Sequence, residues 1–209
     1  MANLGLSLLV ISLVLYMAST SSTVESAAAT RPDHTNFIKA SCRSTRYPDL
    51  CVQCLSSYAN VIRQSQRQLA LTALSVSIAR ARSAQEFVHK MSKVRGIKSR
   101  EYLAVKDCIE NIGDSVDRLS QSARELGHMG QAVGQDFVWH MSNVQTWVSS
   151  ALTDDNTCLD GFSGRAMDGN VKNAIKRRVT GVAQVTSNAL ALVNRFAARR
   201  RTVADTEKP

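Results

Sequence analysis

No proline interrupts the chain between Pro48 and Pro209. A proline inside a helix removes a backbone hydrogen bond and clashes with the preceding turn, so so long a stretch without one is open to continuous helix. The apolar residues keep helical spacing along it. Val105, Ile109, Ile112, Val116, Leu119, Ala123 and Leu126 recur at steps of four and three, the seam that a helix buries against its neighbours. Leu71, Leu74, Ile78, Ala81, Val88 and Met91 mark an earlier run. Met141, Val144, Val148 and Ala151 mark a later one, whose stripe continues to Cys158 and Phe162. A last run holds Val171, Ala174 or Ile175, Val182, Val185, Ala189, Leu192 and Phe196. Strand-like alternation is hard to find.

Glycines fall between these runs. Gly96-Ile97-Lys98-Ser99 separates the first from the second, with Ser99 the expected N-cap. Gly127, Gly130 and Gly134, then Gly161, Gly164 and Gly169, punctuate the next two connections. Four amphipathic helices with short connections predict an all-α fold, an up-and-down four-helix bundle. Ahead of the bundle, Asp33 to Thr45 and Asp49 to Ile62 read as two shorter helical pieces split by Arg46-Tyr47-Pro48, an N-terminal helical hairpin. Arg199-Arg200-Arg201 leads into a flexible basic tail over 201–209.

The first residues stand apart. Leu4 to Tyr16 is apolar but shorter than the roughly 20 residues a membrane-spanning helix needs. Small residues follow, ending in Ser26-Ala27-Ala28-Ala29. This is the order of a secretory signal peptide over 1–28, cleaved near Ala27 or Ala28. The amino terminus alone supplies the positive flank, so a retained anchor stays open as the alternative. Cleavage would remove Glu25 and no Lys or Arg, raising the formal net charge of +9 by one. A basic protein outside the cell meets acidic polymers or acidic partners, and neither nucleic acid nor, after cleavage, a membrane is expected. Export also makes disulfides the first reading of Cys42, Cys51, Cys54, Cys108 and Cys158. Cys42 and Cys51 lie on either side of the Pro48 turn, and Cys54, one helical turn on, competes for the same partner. A Cys108–Cys158 bridge would pin the second long helix to the third, worth about 2–5 kcal/mol. The odd count leaves one thiol over.

Chemistry is sparse. Glu86–His89 and Glu125–His128 have the Glu-x-x-His spacing of a di-metal bundle site, which also needs an inward Glu from each of the other two helices. The third helix has no Glu, and the fourth has no acidic residue after Asp168 until Asp205. His34 and His140 have no carboxylate or nucleophile at a telling spacing. No nucleophile elbow, zinc-protease motif or phosphate-cradling glycine loop is present. Asp154 and Asp155 are adjacent, so they point to different parts of a helix surface and make a poor acid/base pair. The chain reads as a binding or inhibitory protein rather than an enzyme, with no cofactor.

Several segments together resemble one family, the plant invertase and pectin methylesterase inhibitors. FIKASCRSTRYPDLCVQCLSSYA is similar to that family's hairpin, with its Cys…Tyr-Pro-x-x-Cys pattern. Ala104-Val105-Lys106-Asp107-Cys108 matches a family motif on the second long helix, and WVSSALTDDNTCLDGF resembles the family's most distinctive helix. The match runs from about residue 34 to 198. It implies a four-helix bundle topped by a hairpin over 34–62, an inhibitor domain over 29–200, bridges Cys42–Cys51 and Cys108–Cys158, and a spare thiol at Cys54, where relatives commonly have Ser.

The family has two kinds of target. Inhibitors of acid invertase carry a Pro-Lys-Phe motif after the third helix, and the connection here, Ser163-Gly164-Arg165-Ala166-Met167-Asp168-Gly169, lacks it. The resemblance therefore favours a secreted inhibitor of plant pectin methylesterase, acting in the cell wall by stoichiometric occlusion of the substrate cleft. The chain stops after the bundle, so it is expected to act in trans. Asp114, Asp160 and the adjacent Thr157 match positions that the resemblance gives to partner binding, the acidic ones making the complex pH-sensitive. The alternatives are inhibition of an acid invertase and a non-inhibitory wall protein that holds acidic pectin through its charge.

Overall fold

Pro48 opens a helix rather than ending one. It occupies the first turn of α2 (Pro48–Leu55), where the missing N–H has no intrahelical partner to lose. α1 (His34–Cys42) precedes it, and Thr45 closes α1 by donating its hydroxyl to the Cys42 carbonyl (2.8 Å). The structure, a computed structural model, describes residues 34–164, 167 and 169–206. The expected signal peptide, residues 165, 166 and 168 of the last connection, and the end of the tail lie outside them.

The second arm of the hairpin is not one helix over Asp49 to Ile62, as the sequence suggested. After α2 comes a 3₁₀ turn, Ser56–Tyr58, and then α3 (Ala59–Ile62). Ser56 donates its hydroxyl to the Val52 carbonyl (2.7 Å), a local bond that competes with the helical ladder. Arg63 and Gln64, both at positive φ (44° and 65°), then reverse the chain. Ser65 caps the next helix, its Oγ accepting from the Gln68 N–H (3.2 Å).

The four long helices are α4 (Gln66–Met91), α5 (Ser99–His128), α6 (Gly134–Asp160) and α7 (Asn170–Thr206). They pack as a closed ring in which α4 and α6 each touch both α5 and α7, so the α5–α6 flank and the α4–α7 flank lie on opposite sides. Ser99 is the first helical residue of α5 and not its cap. The cap is Lys98, whose N–H donates to the Glu101 carboxylate (3.2 Å). α7 runs on through residues 201–206, which the sequence had assigned to a flexible tail. No Gly or Pro lies between Gly181 and Pro209 to stop it.

The buried face of α4 is also displaced from the expected stripe. Leu71, Ile78 and Met91 are only half-buried, while Leu69, Ala70, Ala73, Leu74, Ser77, Ala81, Ala84 and Val88 form the core side. Small side chains make up much of this face, where α4 packs against both α5 and α7. On α5, α6 and α7 the seam falls nearer to expectation, with Ile112, Leu119, Leu126, Met141, Val148, Ile175 and Leu192 fully buried.

The hairpin docks on α7 through two polar side chains. The buried Asn188 amide accepts from the Tyr47 N–H (3.0 Å) and donates to the Tyr47 carbonyl (2.9 Å). Arg195 donates to the Ser41 carbonyl (3.2 Å). Disulfides join Cys42 to Cys51 within the hairpin and Cys108 on α5 to Cys158 on α6. Cys54 is an unbridged, half-buried thiol beside Arg80 (Sγ to Nη2 3.2 Å). No described helix is long and apolar enough to cross a membrane.

Candidate functional site

Cys108 and Cys158 set the level at which α5 and α6 meet, and the three candidate partner-binding residues can be placed from that level. All three are exposed. Asp114 lies six residues beyond Cys108 on α5, and Asp160 two residues beyond Cys158 on the antiparallel α6. At 1.5 Å of rise per residue they fall on opposite sides of the bridge, about 12 Å apart along the axis. They do not form one acidic pair. Thr157 lies beside the bridge and donates its hydroxyl to the Thr153 carbonyl (2.9 Å).

Asp114 instead belongs with Asp154 and Arg118. The Arg118 guanidinium lies 2.9 Å from Asp154, without the alignment of a full hydrogen bond. Burial holds the Asp154 carboxyl above the usual carboxylate range, Arg118 pulls it back, and Asp114 pushes it further up. Asp107, Glu110, Asp114 and Asp117 follow one another along the exposed side of α5 at helical spacing. α6 carries four aspartates, of which Asp155 is buried and Asp136, Asp154 and Asp160 reach the surface, and neither Lys nor Arg. The flank is therefore a pinned, largely acidic surface.

Asp155 is a residue the sequence reading placed wrongly, on a helix surface. It is fully buried between α5, α6 and α7. Its carboxyl is pushed up to about 7, chiefly by loss of solvent. The hydroxyls of Ser115 on α5 and Thr186 on α7 favour the ionised form, and Asp154 opposes it. Neither oxygen of the carboxylate completes a hydrogen bond in this geometry.

His140 was also missed. Its Nδ1 pairs with Glu125 at the end of α5 (2.8 Å), and its Nε2 lies 3.5 Å from Asp136. Asn143 adds a bond to Glu125 (3.3 Å). The His140 hydrogen bond is the main reason the Glu125 carboxyl lies below the usual range. Glu125 thus turns to α6 and not to His128 on its own helix. Among the described residues no group of three or more His, Cys, Asp and Glu side chains is placed to hold a metal ion.

Two recesses on the described surface bear on the charge of the molecule. One, at the end of the bundle, is lined by Arg67, Met129, Phe137, Phe196 and Arg200. Its guanidiniums are committed to backbone carbonyls, Arg67 to Leu126 (2.9 Å) and Gly127 (2.8 Å), and Arg200 to Ala132 (3.1 Å). The other lies on the opposite flank to Asp114 and Asp160, between α4 and α7, and is lined by Arg80, Ser83, Arg177, Arg178, Gly181 and Val182.

A four-helix bundle with a docked helical hairpin and two disulfides defines the class: an all-helical scaffold stapled by sulfur. The family model described as "Plant invertase/pectin methylesterase inhibitor" matches residues 36–192, and the chain belongs to that family. It is 56% identical over 191 residues to pectinesterase inhibitor 9 of Arabidopsis thaliana, covering 90% of this chain and 94% of the relative. It is 50% identical over 175 residues to the 21 kDa protein of Daucus carota, covering 84% and 91%. The fold is similar to that of a crystal structure of a mutant form of a pectin methylesterase inhibitor from Arabidopsis, with TM-score 0.59 and 20% identity, covering 73% of this chain and 92% of that one.

Proposed function

We propose that this protein is an inhibitor of pectin methylesterase, exported to the cell wall, which occludes the enzyme's substrate cleft in a stoichiometric complex and so limits pectin de-esterification. The observation that carries the reading is the 56% identity, over nearly the whole chain, to a protein named as a pectinesterase inhibitor. The missing Pro-Lys-Phe after the third long helix favours the esterase over an acid invertase as target. The inhibitor domain spans 29–200, behind a signal peptide over 1–28, and performs no catalysis of its own.

The proposed contact surface is the α5–α6 flank, with Asp114, Thr157 and Asp160 among the contacts. The Cys108–Cys158 bridge holds the two helices at a fixed level, so little freedom is lost on binding. An interface of roughly 1,600 Å² suffices to cover a cleft mouth. The test is one assay of the purified mature protein against a plant pectin methylesterase and an acid invertase side by side. Saturable inhibition of the esterase near one-to-one stoichiometry, with the invertase untouched, is the expected result. Inhibition of the invertase alone would overturn the reading.

A further inference from the structure

The α4–α7 flank has the opposite charge to the flank proposed to meet the enzyme. Lys172, Lys176, Arg177, Arg178, Arg195, Arg199 and Arg200 lie on α7, and no acidic residue occurs between Asn170 and Asp205. On the neighbouring α4, Glu86 is the sole acidic residue. Between these helices three exposed guanidiniums, Arg80, Arg177 and Arg178, line a groove of about 240 Å³. Among the described residues none of the three makes an ion pair.

Two of these guanidiniums are positioned by neutral groups. Arg178 donates to the Ser83 hydroxyl (2.7 Å) and lies over the Phe87 ring (5.7 Å). Arg80 donates to the Cys54 sulfur (3.2 Å). A guanidinium has five N–H donors, so each retains donors for a ligand while its orientation is already fixed. Gly181 contributes no side chain to the groove. A Cβ there would stand 3.8 Å from Arg80 Nη1, an ordinary contact, so a small side chain would fit there and only a longer one would reach into the groove.

We propose that this groove binds the carboxylates of an acidic polyuronate, namely the de-esterified polymer that the target enzyme produces. This assignment rests on the function proposed above, because ester hydrolysis converts each neutral methyl uronate into a carboxylate. Guanidinium forks match carboxylates in two-point geometry, whereas a methyl ester offers no charge to pair. The groove therefore distinguishes product polymer from substrate polymer. Because it lies across the bundle from Asp114 and Asp160, polymer and enzyme bind at once. The inhibitor is thereby concentrated where de-esterification has already happened.

The test measures retention of the mature protein, with no enzyme present, on immobilised polygalacturonate and on fully methyl-esterified pectin. Each binding is repeated as salt rises. Two groove variants, Gly181→Glu and the double variant Arg177→Gln/Arg178→Gln, are compared with Arg63→Gln/Arg95→Gln. The last carries the same charge change as the double variant at exposed positions away from the groove. Helix content and unfolding midpoint are recorded for all. The parent is expected to bind polygalacturonate, to ignore the esterified polymer and to release as salt screens the charges. Both groove variants should lose about tenfold or more in affinity, the scale of a lost charge-assisted contact. The control pair should lose far less, and all variants should still inhibit the esterase.

Equal binding to both polymers, equal loss in the control pair, or unchanged binding in Gly181→Glu would overturn the groove. If the parent binds polygalacturonate through the groove but inhibits no pectin methylesterase, the functional reading fails and the site stands. If it inhibits the enzyme but does not bind the polymer, the reverse holds.

Discussion

Asp155 occupies a seam position on α6, four residues after Ala151 and three before Cys158. The apolar stripe read from the sequence skipped it because the reading required apolar members, yet the step of seven from Ala151 to Cys158 contains the vacancy it fills. The signal was in the spacing and not in the residue type. Burying this carboxyl links stability to pH. Below its ordinary value of 3.8, folded and unfolded chains both hold the proton. Between there and about 7 only the folded chain holds it, so stability falls by about 1.4 kcal/mol per pH unit. The loss amounts to about 4 kcal/mol and is complete above about pH 7. Asp155→Asn carries no titrating group and should flatten this slope. Thermal unfolding should give similar midpoints for parent and variant near pH 4, and a higher midpoint for the variant near pH 7. Parallel curves would show that the carboxyl does not titrate in this window.

Helices and their order followed from periodicity and breakers, but the faces and ends did not follow equally well. Leu74, Ala81 and Val88 of the expected α4 stripe are buried, but Leu71, Ile78 and Met91 were weighted above Ala70, Ala73 and Ala84, the small residues that complete the core side. The hairpin was legible from Pro48 and the two flanking cysteines, whereas its docking was not. That docking depends on Asn188, 141 residues from its partner Tyr47, and no local pattern announces a contact at such separation. The buried Asn188 side chain bonds both the donor and the acceptor of the half-buried Tyr47 backbone. Asn188→Ala leaves the Tyr47 N–H without its partner, while the Tyr47 carbonyl keeps the Cys51 N–H (3.0 Å), and a buried unsatisfied group costs about 1–3 kcal/mol. Chemical denaturation should show a loss of about 1–3 kcal/mol. Amide exchange should accelerate first around residues 42–51, since the hairpin loses its tie to α7. A uniform acceleration throughout the bundle would place the effect elsewhere.

Taken as a whole, the His34–Pro209 unit places an acidic flank on α5–α6 opposite a basic groove on α4–α7. The net charge of the sequence, a single number, concealed that division. The division needs the ring order of the helices, which follows from their packing. The acidic flank holds its shape because Cys108–Cys158 closes a loop of 50 residues. Chain-entropy arguments give such a closure about 4 kcal/mol of stability. The double variant Cys108→Ser/Cys158→Ser should therefore unfold roughly 10 °C lower while remaining folded at assay temperature. Its effect on inhibition separates two roles for the bridge. If the bridge only adds stability, the folded variant should inhibit as well as the parent well below its midpoint. If it fixes the level of α5 against α6, the freedom regained in the unbound protein must be lost again on binding, and inhibition weakens even where the variant is fully folded. The second outcome is expected, because Asp114 and Asp160 lie on different helices and on opposite sides of the bridge, and their relative position has to be set before they meet a partner. The groove between α4 and α7 contains no part of that bridge, so polyuronate binding should survive the same substitution.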